Sequence, residues 1–171
     1  MNQMRDAFKK AGYNPGGSDR GGHHHDRGSG GRPGGPPQGG GGARLPQECL
    51  LTSYYNEHNQ LKSEIFDQVP KKVADVLQQY PNPVKASAMR KFYECVRTVR
   101  ESNIQGKDFE ACKPDLYRLK AIVNRQRERK VVSDAFVQFI EHNIDLAAQS
   151  PENLKGFHRL FESVICYSKE K

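Results

Sequence analysis

Over most of the chain after residue 69, apolar positions recur every three to four residues, which is the spacing of one face of an α-helix. The stretch VPKKVADVLQQYP predicts a first helix over about 70–80, with Pro70 in its first turn. The stretch ASAMRKFYECVRTVR predicts a second helix over about 86–103. A third is predicted from Pro114 to about residue 129, with a short preceding turn over residues 107–112 left open. No comparable stretch has the two-residue period of a strand.

Serine caps predict the starts of two further helices. Ser133 and Ser150 each precede an apolar helical pattern, and each is followed by an acidic residue in the first turn. Pro151 at the first helical position strengthens the second of these starts. Gly156 lies inside the last helix, where glycine costs stability, so we expect a neighbouring helix to cross closely there. Five to six helices with short connections predict an all-α fold, a compact bundle.

The same periodicity predicts which side chains are buried. In each helix the apolar residues form one stripe that faces the core. In chain order, the predicted stripes are Val69, Val73, Val76, Leu77 and Tyr80; Met89, Phe92, Val96 and Val99; Leu116, Leu119, Ile122 and Val123; Phe136, Val137, Phe139, Ile140, Ile144 and Ala147; and Leu154, Phe157, Leu160, Phe161, Val164, Ile165 and Tyr167.

The glycines divide the chain into two parts. Of the 16 glycines, 14 lie between Gly12 and Gly42. That stretch has almost no apolar side chains, so burial cannot offset the entropy lost when it is ordered. We therefore expect a flexible Gly/Pro/Arg-rich tail over residues 1–46 and a helical bundle domain over residues 47–171. A domain of this length buries about two thirds of its unfolded surface.

The predicted tail has three features of its own. Residues 1–13 have the apolar spacing of one short amphipathic helix, which is marginally stable alone in water. Arg20, Arg27 and Arg32 lie beside glycines. There is no repeated R-G-G and no interleaved aromatic, so we interpret the segment as a linker rather than as an RNA-binding tail. We interpret His23–His25 as incidental rather than metal-binding.

The cysteines predict neither a disulfide framework nor a zinc site. None is part of a C-x-x-C pair, and no histidine lies at zinc-finger spacing from them. Cys95 and Cys166 are expected near apolar helix faces, where a free thiol behaves as a small hydrophobe. No apolar run has the length of a signal peptide or a transmembrane helix. We therefore expect a cytoplasmic protein whose cysteines are reduced. The four are Cys49, Cys95, Cys112 and Cys166.

The sequence offers no convincing catalytic constellation. It has no Gly-rich loop between a strand and a helix, and His58, His142 and His158 are scattered through the predicted domain. A histidine and a glutamate close together on a helix are common by chance, so a structural role is favoured for them. We predict that the protein is not an enzyme and needs no cofactor and no metal. A metal-dependent nuclease that uses the acidic ends is the remaining enzyme alternative.

Charge is concentrated in the middle of the predicted domain. The whole chain has a formal net charge of +7. Residues 85–130 contain 13 Lys and Arg against 6 Asp and Glu, a net charge of +7, whereas residues 48–84 and 131–171 each have a net charge of −2. This asymmetry favours a polyanionic partner, with nucleic acid ahead of a membrane surface. A solvated face that aids solubility is the structural alternative.

The second predicted helix combines cations with an aromatic residue. Arg90 and Arg97 are seven residues apart and share one flank, with Tyr93 between them and the core. Arginine binds phosphates and stacks on bases, and tyrosine can also stack. A glutamate follows each of these arginines by four residues, which is the spacing of ordinary helix ion pairs. Part of the charge is therefore neutralised within the helix, whereas Lys91 has no such partner.

The third predicted helix makes the stronger case for phosphate binding. Arg118, Arg125 and Arg129 share one of its flanks. Lys120 and Arg127 lie on the other flank. Cations suit the negative end of a helix dipole, but that effect accounts for two or three of them and not for all. The surplus predicts contact with a nucleic-acid backbone, insensitive to sequence and strongly dependent on salt.

Three stretches resemble the small, all-helical subunit of type III-A (Csm) CRISPR–Cas effector complexes. ASAMRKFYECVRTVR is similar to an early helix of that family, with its Arg, Phe-Tyr and following valine. KPDLYRLKAIVNR resembles a Lys-Pro helix that ends in Arg and is followed by a helix similar to VSDAFVQFIEHNI. FHRLFESVICYSK resembles the terminal helix, with its paired Phe, Glu, Tyr and Lys. The resemblance covers about residues 66–169.

The resemblance implies a non-catalytic, RNA-binding structural subunit of an antiviral ribonucleoprotein. Copies of the protein are expected to stack beside the backbone repeat subunits, near the large subunit, and to line the channel of the CRISPR RNA and target RNA. Arg90, Lys91 and Arg125 are carried over from the matching stretches, and the other candidates come from the charge pattern. The residues predicted to bind RNA are Arg90, Lys91, Arg97, Arg118, Lys120, Arg125, Arg127, Arg129 and Lys130.

A helical protein–protein interaction module without direct RNA contact is the alternative function. In that case the apolar and charged faces only join neighbouring subunits. The pattern of residues leaves open the copy number, the contribution of the tail to RNA binding, and which cations contact RNA rather than neighbouring proteins.

Overall fold

The computed structural model describes residues 43–79 and 83–168, and within these ranges the regular structure is helical. The described part has no strand beyond a single antiparallel bridge between Tyr55 and Leu61. The prediction of an all-α bundle of five to six helices is confirmed. Its α-helices are α1 (Gln68–Leu77), α2 (Ala86–Ile104), α3 (Phe109–Glu128), α4 (Asp134–Ala147) and α5 (Pro151–Tyr167).

Most of the predicted tail, with the proposed helix over 1–13 and His23–His25, lies outside the described residues. Leu45 lies inside them and is buried. Its N–H donates to Gln138 Oε1 at 3.0 Å. Packed structure therefore begins on the tail side of the predicted boundary at residue 47, and the boundary itself stays a prediction.

The serine caps form as predicted. Ser133 Oγ accepts from the Phe136 N–H at 3.3 Å. Ser150 Oγ accepts from the Asn153 N–H at 3.1 Å, and Pro151 occupies the first helical position. Each side chain satisfies one of the N–H groups that have no partner within the helix.

The predicted start of α3 is wrong. The helix begins at Phe109, and Pro114 lies inside it rather than in its first turn. Cys112 is buried and Phe109 is half-buried against the core, so packing stabilises the added turn. Pro114 has no N–H to give to the carbonyl of Glu110, a residue that is exposed. The tertiary contacts therefore outweigh the local stop signal.

Helix α5 is the centre of the bundle. It packs against α1, α2 and α4, whereas the principal contacts of α3 are with α2 and α4. Aromatic side chains of α4 and α5 interlock: the ring centroids of Phe139 and Phe161 are 5.3 Å apart, and those of Phe157 and Phe161 are 5.7 Å apart. The basic helix α3 therefore lies at the periphery, with one side open to solvent.

The predicted core stripes are buried with few exceptions. Val76 and Ile165 are half-buried, and Tyr80 lies outside the described residues. Tyr167 is exposed, and its hydroxyl donates to Asp67 Oδ1 at 3.0 Å. The last turn of α5 therefore leaves the core earlier than the apolar pattern predicts.

Gly156 is approached closely, but by a side chain and not by the predicted crossing helix. A Cβ atom at this position would lie 2.5 Å from Tyr54 Cδ2. Tyr54 comes from the irregular segment before α1, is fully buried, and donates to Asn143 Oδ1 at 2.6 Å. The Asn143 amide in turn donates to the Phe139 carbonyl at 2.8 Å. We call Tyr54, Asn143 and Gly156 the Tyr54 cluster; it fastens the N-terminal segment to α4 and α5.

The cysteines are free thiols, as predicted, but their burial differs from the prediction. Cys166 is exposed, whereas the other three are buried. Burial raises the pKa of the Cys95 thiol to about 11, because charge is unfavourable in an apolar site. None of the described helices is long and apolar enough to cross a membrane.

Candidate nucleic-acid interface

The nine predicted RNA-binding residues all lie in the described part of the chain, on α2, on α3 or immediately after α3. All of them are exposed except Lys120, which is half-buried. Helices α2 and α3 are joined by a short connection and pack against each other. The fold therefore brings the two basic stretches of the sequence side by side.

Arg97 is held by carboxylates of its own helix. Its Nε donates to Glu101 Oε1 at 2.8 Å, and its Nη1 lies 3.4 Å from Glu94 Oε2. The predicted neutralisation of this charge within α2 is confirmed. Exposed ion pairs of this kind contribute little stability, so their main effect is to lower the local positive potential.

Tyr93 joins helices instead of offering a free stacking face. Its hydroxyl donates to Glu162 Oε1 at 3.4 Å and lies 3.2 Å from His158 Nε2. Its ring packs edge-on against Phe161, with centroids 5.9 Å apart. Burial, together with the charge of Glu162, raises the pKa of the Tyr93 hydroxyl. The aromatic residue between Arg90 and Arg97 therefore belongs to the contact between α2 and α5.

One flank of α3 pairs with acidic residues of the next helix. Lys120 Nζ donates to Asp145 Oδ1 at 2.5 Å, and Arg127 Nη1 lies 3.9 Å from Asp134 Oδ1. Sequence spacing did not indicate these pairs, because their members are far apart along the chain or lie on either side of a turn. The opposite flank, with Arg118, faces solvent. Part of the charge on the Lys120 and Arg127 flank is thus neutralised by α4.

A cavity of about 240 Å³ opens where the start of α2 meets the end of α3. Lys85, Lys91 and Arg129 contribute its charged groups, and we call these three residues the basic corner. Within the part of the chain that the structure describes, none of them forms an ion pair, and no carboxylate lines the cavity. The residues that line the cavity are Lys85, Ser87, Ala88, Lys91, Phe92, Gln126, Arg129, Val131 and Val132.

Sequence reasoning missed Lys85. It lies at the N-cap position, before the first helical residue of α2. It was therefore not included when residues were assigned to the faces of the predicted helix. One signal in the sequence points to it: Lys85 lies six residues before Lys91, near a helix start where N–H groups attract anions. Its proximity to Arg129 arises only from the packing of α2 on α3.

The turn after α3 is closed by its own backbone. Lys130 has a φ of 57°, in the left-handed region. Its N–H donates to the Arg127 carbonyl at 2.8 Å, and the Val131 N–H donates to the Gln126 carbonyl at 3.0 Å. This is a Schellman closure with lysine where glycine is usual. It satisfies two carbonyls at the negative end of α3 and positions Arg129 beside the cavity.

The histidines of the domain have structural contacts. His142 Nε2 lies 2.7 Å from the Leu51 carbonyl, which helps to hold the N-terminal segment. His158 is buried, and its Nδ1 has no partner among the described residues. Burial lowers the pKa of His158, and the charge of Arg100 lowers it further. The described residues contain no group of three or more His, Cys, Asp or Glu that could hold a metal ion.

Comparison with known proteins identifies one family. The sequence model described as Csm2 Type III-A matches residues 60–171. The matched region contains all five helices and the entire basic surface, but begins after Tyr54. Comparisons with curated proteins and with solved structures give no match.

Proposed function

The chain belongs to the Csm2 family of type III-A, whose members are small subunits of type III-A CRISPR effector complexes, and from that premise we propose that it binds RNA. In this proposal the protein is a non-catalytic structural subunit. It lines the channel of the guide–target RNA duplex with the exposed surface of α2 and α3. The family assignment made from the helix motifs is confirmed, and the RNA contacts are the part proposed here.

The peripheral position of α3 carries the proposal. This helix has its principal contacts with α2 and α4, so its Arg118 flank is open to a large ligand. Cations on such a flank neutralise phosphates and release counterions, which gives affinity without sequence preference. Arg97, Lys120 and Arg127 have carboxylate partners on the protein, so a phosphate must compete with those carboxylates to bind them.

We propose the CRISPR RNA, the target RNA, the backbone repeat subunits, the large subunit and further copies of this chain as partners, in the cytoplasm. The proposal requires the basic surface to be free of protein in the assembly. The remaining faces are then available for neighbouring subunits. Apolar side chains such as Ile104 and Tyr117, which are exposed on α2 and α3, suit that role.

A charge-matched pair of variants tests the proposal. One variant combines Arg118→Ala, Arg125→Ala and Arg127→Ala, and the control removes three exposed cations elsewhere, Arg44, Lys71 and Lys155. Filter binding of RNA is measured over a series of salt concentrations. Each lost phosphate contact to a single strand should reduce the slope of log K against log salt by about 0.7. We expect a reduction of about 1–2 for the first variant and little change for the control.

Equal effects of the two variants would mean that only net charge matters, and an affinity independent of salt would contradict phosphate binding altogether. The same variants separate RNA binding from the alternative function, an interaction module without RNA contact. In that case the effector complex containing the first variant assembles and protects its RNA normally. RNA cleavage by the purified protein with added metal would contradict the non-catalytic role.

A further inference from the structure

The cavity at the basic corner combines three cations from two helices and a turn. Lys85 and Lys91 come from the start of α2, and Arg129 comes from the end of α3. These residues are 44 positions apart along the chain at the widest, so only the packing of α2 on α3 brings them to one opening. Since no carboxylate lines the cavity and none pairs with them among the described residues, the positive charge is available to a ligand.

The backbone at the start of α2 adds donors to these charges. Lys85 occupies the N-cap position, and no side chain caps the helix. The first hydrogen bonds of the helix run from the Ala88 and Met89 N–H groups to the Lys85 carbonyl. The earlier N–H groups, those of Ala86 and Ser87, have no partner within the described ranges. Such groups point along the helix axis toward an anion and carry the positive end of the helix dipole.

The end of α3 opposes an anion less than an open helix end would. A helix C-terminus normally presents unpaired carbonyls, which repel negative charge. Here the Schellman closure engages the Gln126 and Arg127 carbonyls with the N–H groups of Val131 and Lys130. Arg129 therefore faces the cavity beside satisfied carbonyls.

Apart from Ser87 and Gln126, the remaining wall of the cavity is apolar, and it leaves room beyond a phosphate. Ala88, Phe92, Val131 and Val132 form this wall, and Val131 is exposed at its rim. The volume of about 240 Å³ is several times the share of one liquid water molecule, about 30 Å³. A ribose attached to the phosphate can therefore lie against the apolar wall while the charge stays at the cations.

We propose that this cavity binds one backbone phosphate of RNA between Lys85, Lys91 and Arg129, with the adjoining ribose against Val131 and Ala88. The inference rests on the proposed RNA-binding function and assigns it a specific anchor point. Lys85, which the basic helix patterns do not include, becomes a binding residue. The cavity binds a phosphodiester, and a free phosphate ion shares the same chemistry.

Position 87 allows a test that preserves the fold. Ser87 lines the cavity in the first turn of α2, where an acidic side chain favours the helix. Ser87→Glu should therefore fold at least as well as the natural chain while filling the phosphate position with a carboxylate. Ser87→Gln has nearly the same shape without the charge and is the matched control. Thermal unfolding of both variants checks that they are folded.

The full chain, isotopically labelled, is titrated with a short oligoribonucleotide that has no terminal phosphate and, separately, with inorganic phosphate. In the natural chain and in Ser87→Gln, we expect the oligoribonucleotide to shift the amide NMR signals of Ala86 and Ala88. In Ser87→Glu these shifts should disappear, and RNA affinity should fall about tenfold or more, as for loss of a charge-assisted hydrogen bond. Lys85→Ala should give a similar loss, and the exposed control Lys71→Ala should not.

The outcomes distinguish this inference from the broader proposal. If RNA binding is salt-dependent and lost in the triple arginine variant but unchanged in Ser87→Glu, the cavity is not an RNA site and the general function stands. If inorganic phosphate shifts these amide signals and the oligoribonucleotide does not, the cavity holds a free anion and the RNA assignment is overturned. If no variant and no probe shows salt-dependent RNA binding, both proposals fail.

Discussion

The Tyr54 cluster and the basic corner differ in whether their polar groups have partners on the protein. In the cluster, the Tyr54 hydroxyl and the Asn143 amide are buried and bonded to each other or to the backbone, and Gly156 leaves no room for a further atom. In the basic corner, the cations Lys85 and Arg129 surround open space without a carboxylate. The first arrangement specifies the fold, and the second keeps charge available for a ligand. Substitutions in the two regions should therefore affect different measurements.

Gly156→Ala is expected to have the largest effect on stability. Its Cβ would lie 2.5–2.7 Å from three Tyr54 atoms, including Tyr54 Cβ, which cannot move without the backbone. Overpacking of this kind costs about 1–3 kcal/mol, occasionally more, and alanine recovers about 1 kcal/mol of helix propensity. Because Tyr54 Cβ cannot move without its backbone, we expect a cost at the upper end of this range and a net loss of about 2 kcal/mol in the free energy of unfolding, measured by urea denaturation. With Tyr54→Ala already present, the added substitution should instead be neutral or stabilising. A stabilised Gly156→Ala single variant would contradict the close packing.

Tyr54→Phe should have a slightly smaller effect. It removes the donor to Asn143 Oδ1 and leaves that buried oxygen unsatisfied, at a cost of about 1–3 kcal/mol. The control is Tyr55→Phe, because the Tyr55 hydroxyl donates to the Glu152 carbonyl in an exposed setting. We expect the control to change stability by at most about 0.5 kcal/mol. Equal losses in the two variants would remove the distinction between buried and exposed bonds. RNA affinity of both folded variants should be unchanged.

His158 should make stability depend on pH. Burial and the nearby Arg100 lower its pKa, so the unfolded chain binds the proton more readily than the folded one. The contribution to stability is complete above the usual histidine pKa of about 6.5 and is lost as the pH falls through the lower folded value. Glu162 does not interfere: desolvation opposes its charged form, but the Arg159 hydrogen bond and charge outweigh it and lower its pKa. It therefore stays charged in this range.

The measurement is urea denaturation between pH 7.5 and 5, with His158→Gln as the comparison. The natural chain should lose stability toward pH 5 more steeply than the variant, by less than about 1.4 kcal/mol per pH unit. Contributions from the rest of the chain are common to both proteins and cancel in the difference. Parallel curves would show that His158 charges as easily in the folded protein as in the unfolded one.

Lys130→Gly should have the smallest effect, and in the opposite direction. Lysine at a φ of 57° is strained, whereas glycine adopts this conformation freely, so we expect a gain of about 0.5 kcal/mol after the entropy of glycine in the unfolded chain is included. Arg129→Gly removes the same charge from the preceding position, where φ is −80°, and should bring no gain. Thermal unfolding compares the two. A destabilised Lys130→Gly variant would mean that the lysine side chain itself holds the turn.

Local signals in the sequence predicted most of the fold. Ser133 and Ser150 were identified as caps because a cap depends on residues only three positions away. The core stripes were predicted because helical periodicity decides which face is buried. Pro114 misled the prediction of the start of α3, since the buried Cys112 extends the helix through contacts that the local sequence does not contain.

The candidate site was less predictable, because its properties depend on pairs that are distant in sequence. The pairing of Lys120 with Asp145, 25 residues later in the chain, lowers the net charge of one flank of α3. The basic corner depends on Lys85 meeting Arg129 across two helices. The partner of Gly156 was likewise misjudged, because Tyr54 reaches it from a segment with no regular pattern.

The Tyr54 cluster also bears on the order in which the protein is completed during synthesis. Tyr54 is made early, but its hydrogen-bond partner Asn143 follows 89 residues later, and Gly156 later still. On the ribosome, the Tyr54 side chain therefore cannot take its final place until the last two helices emerge. A residue translated early in the domain is then among the last to be packed.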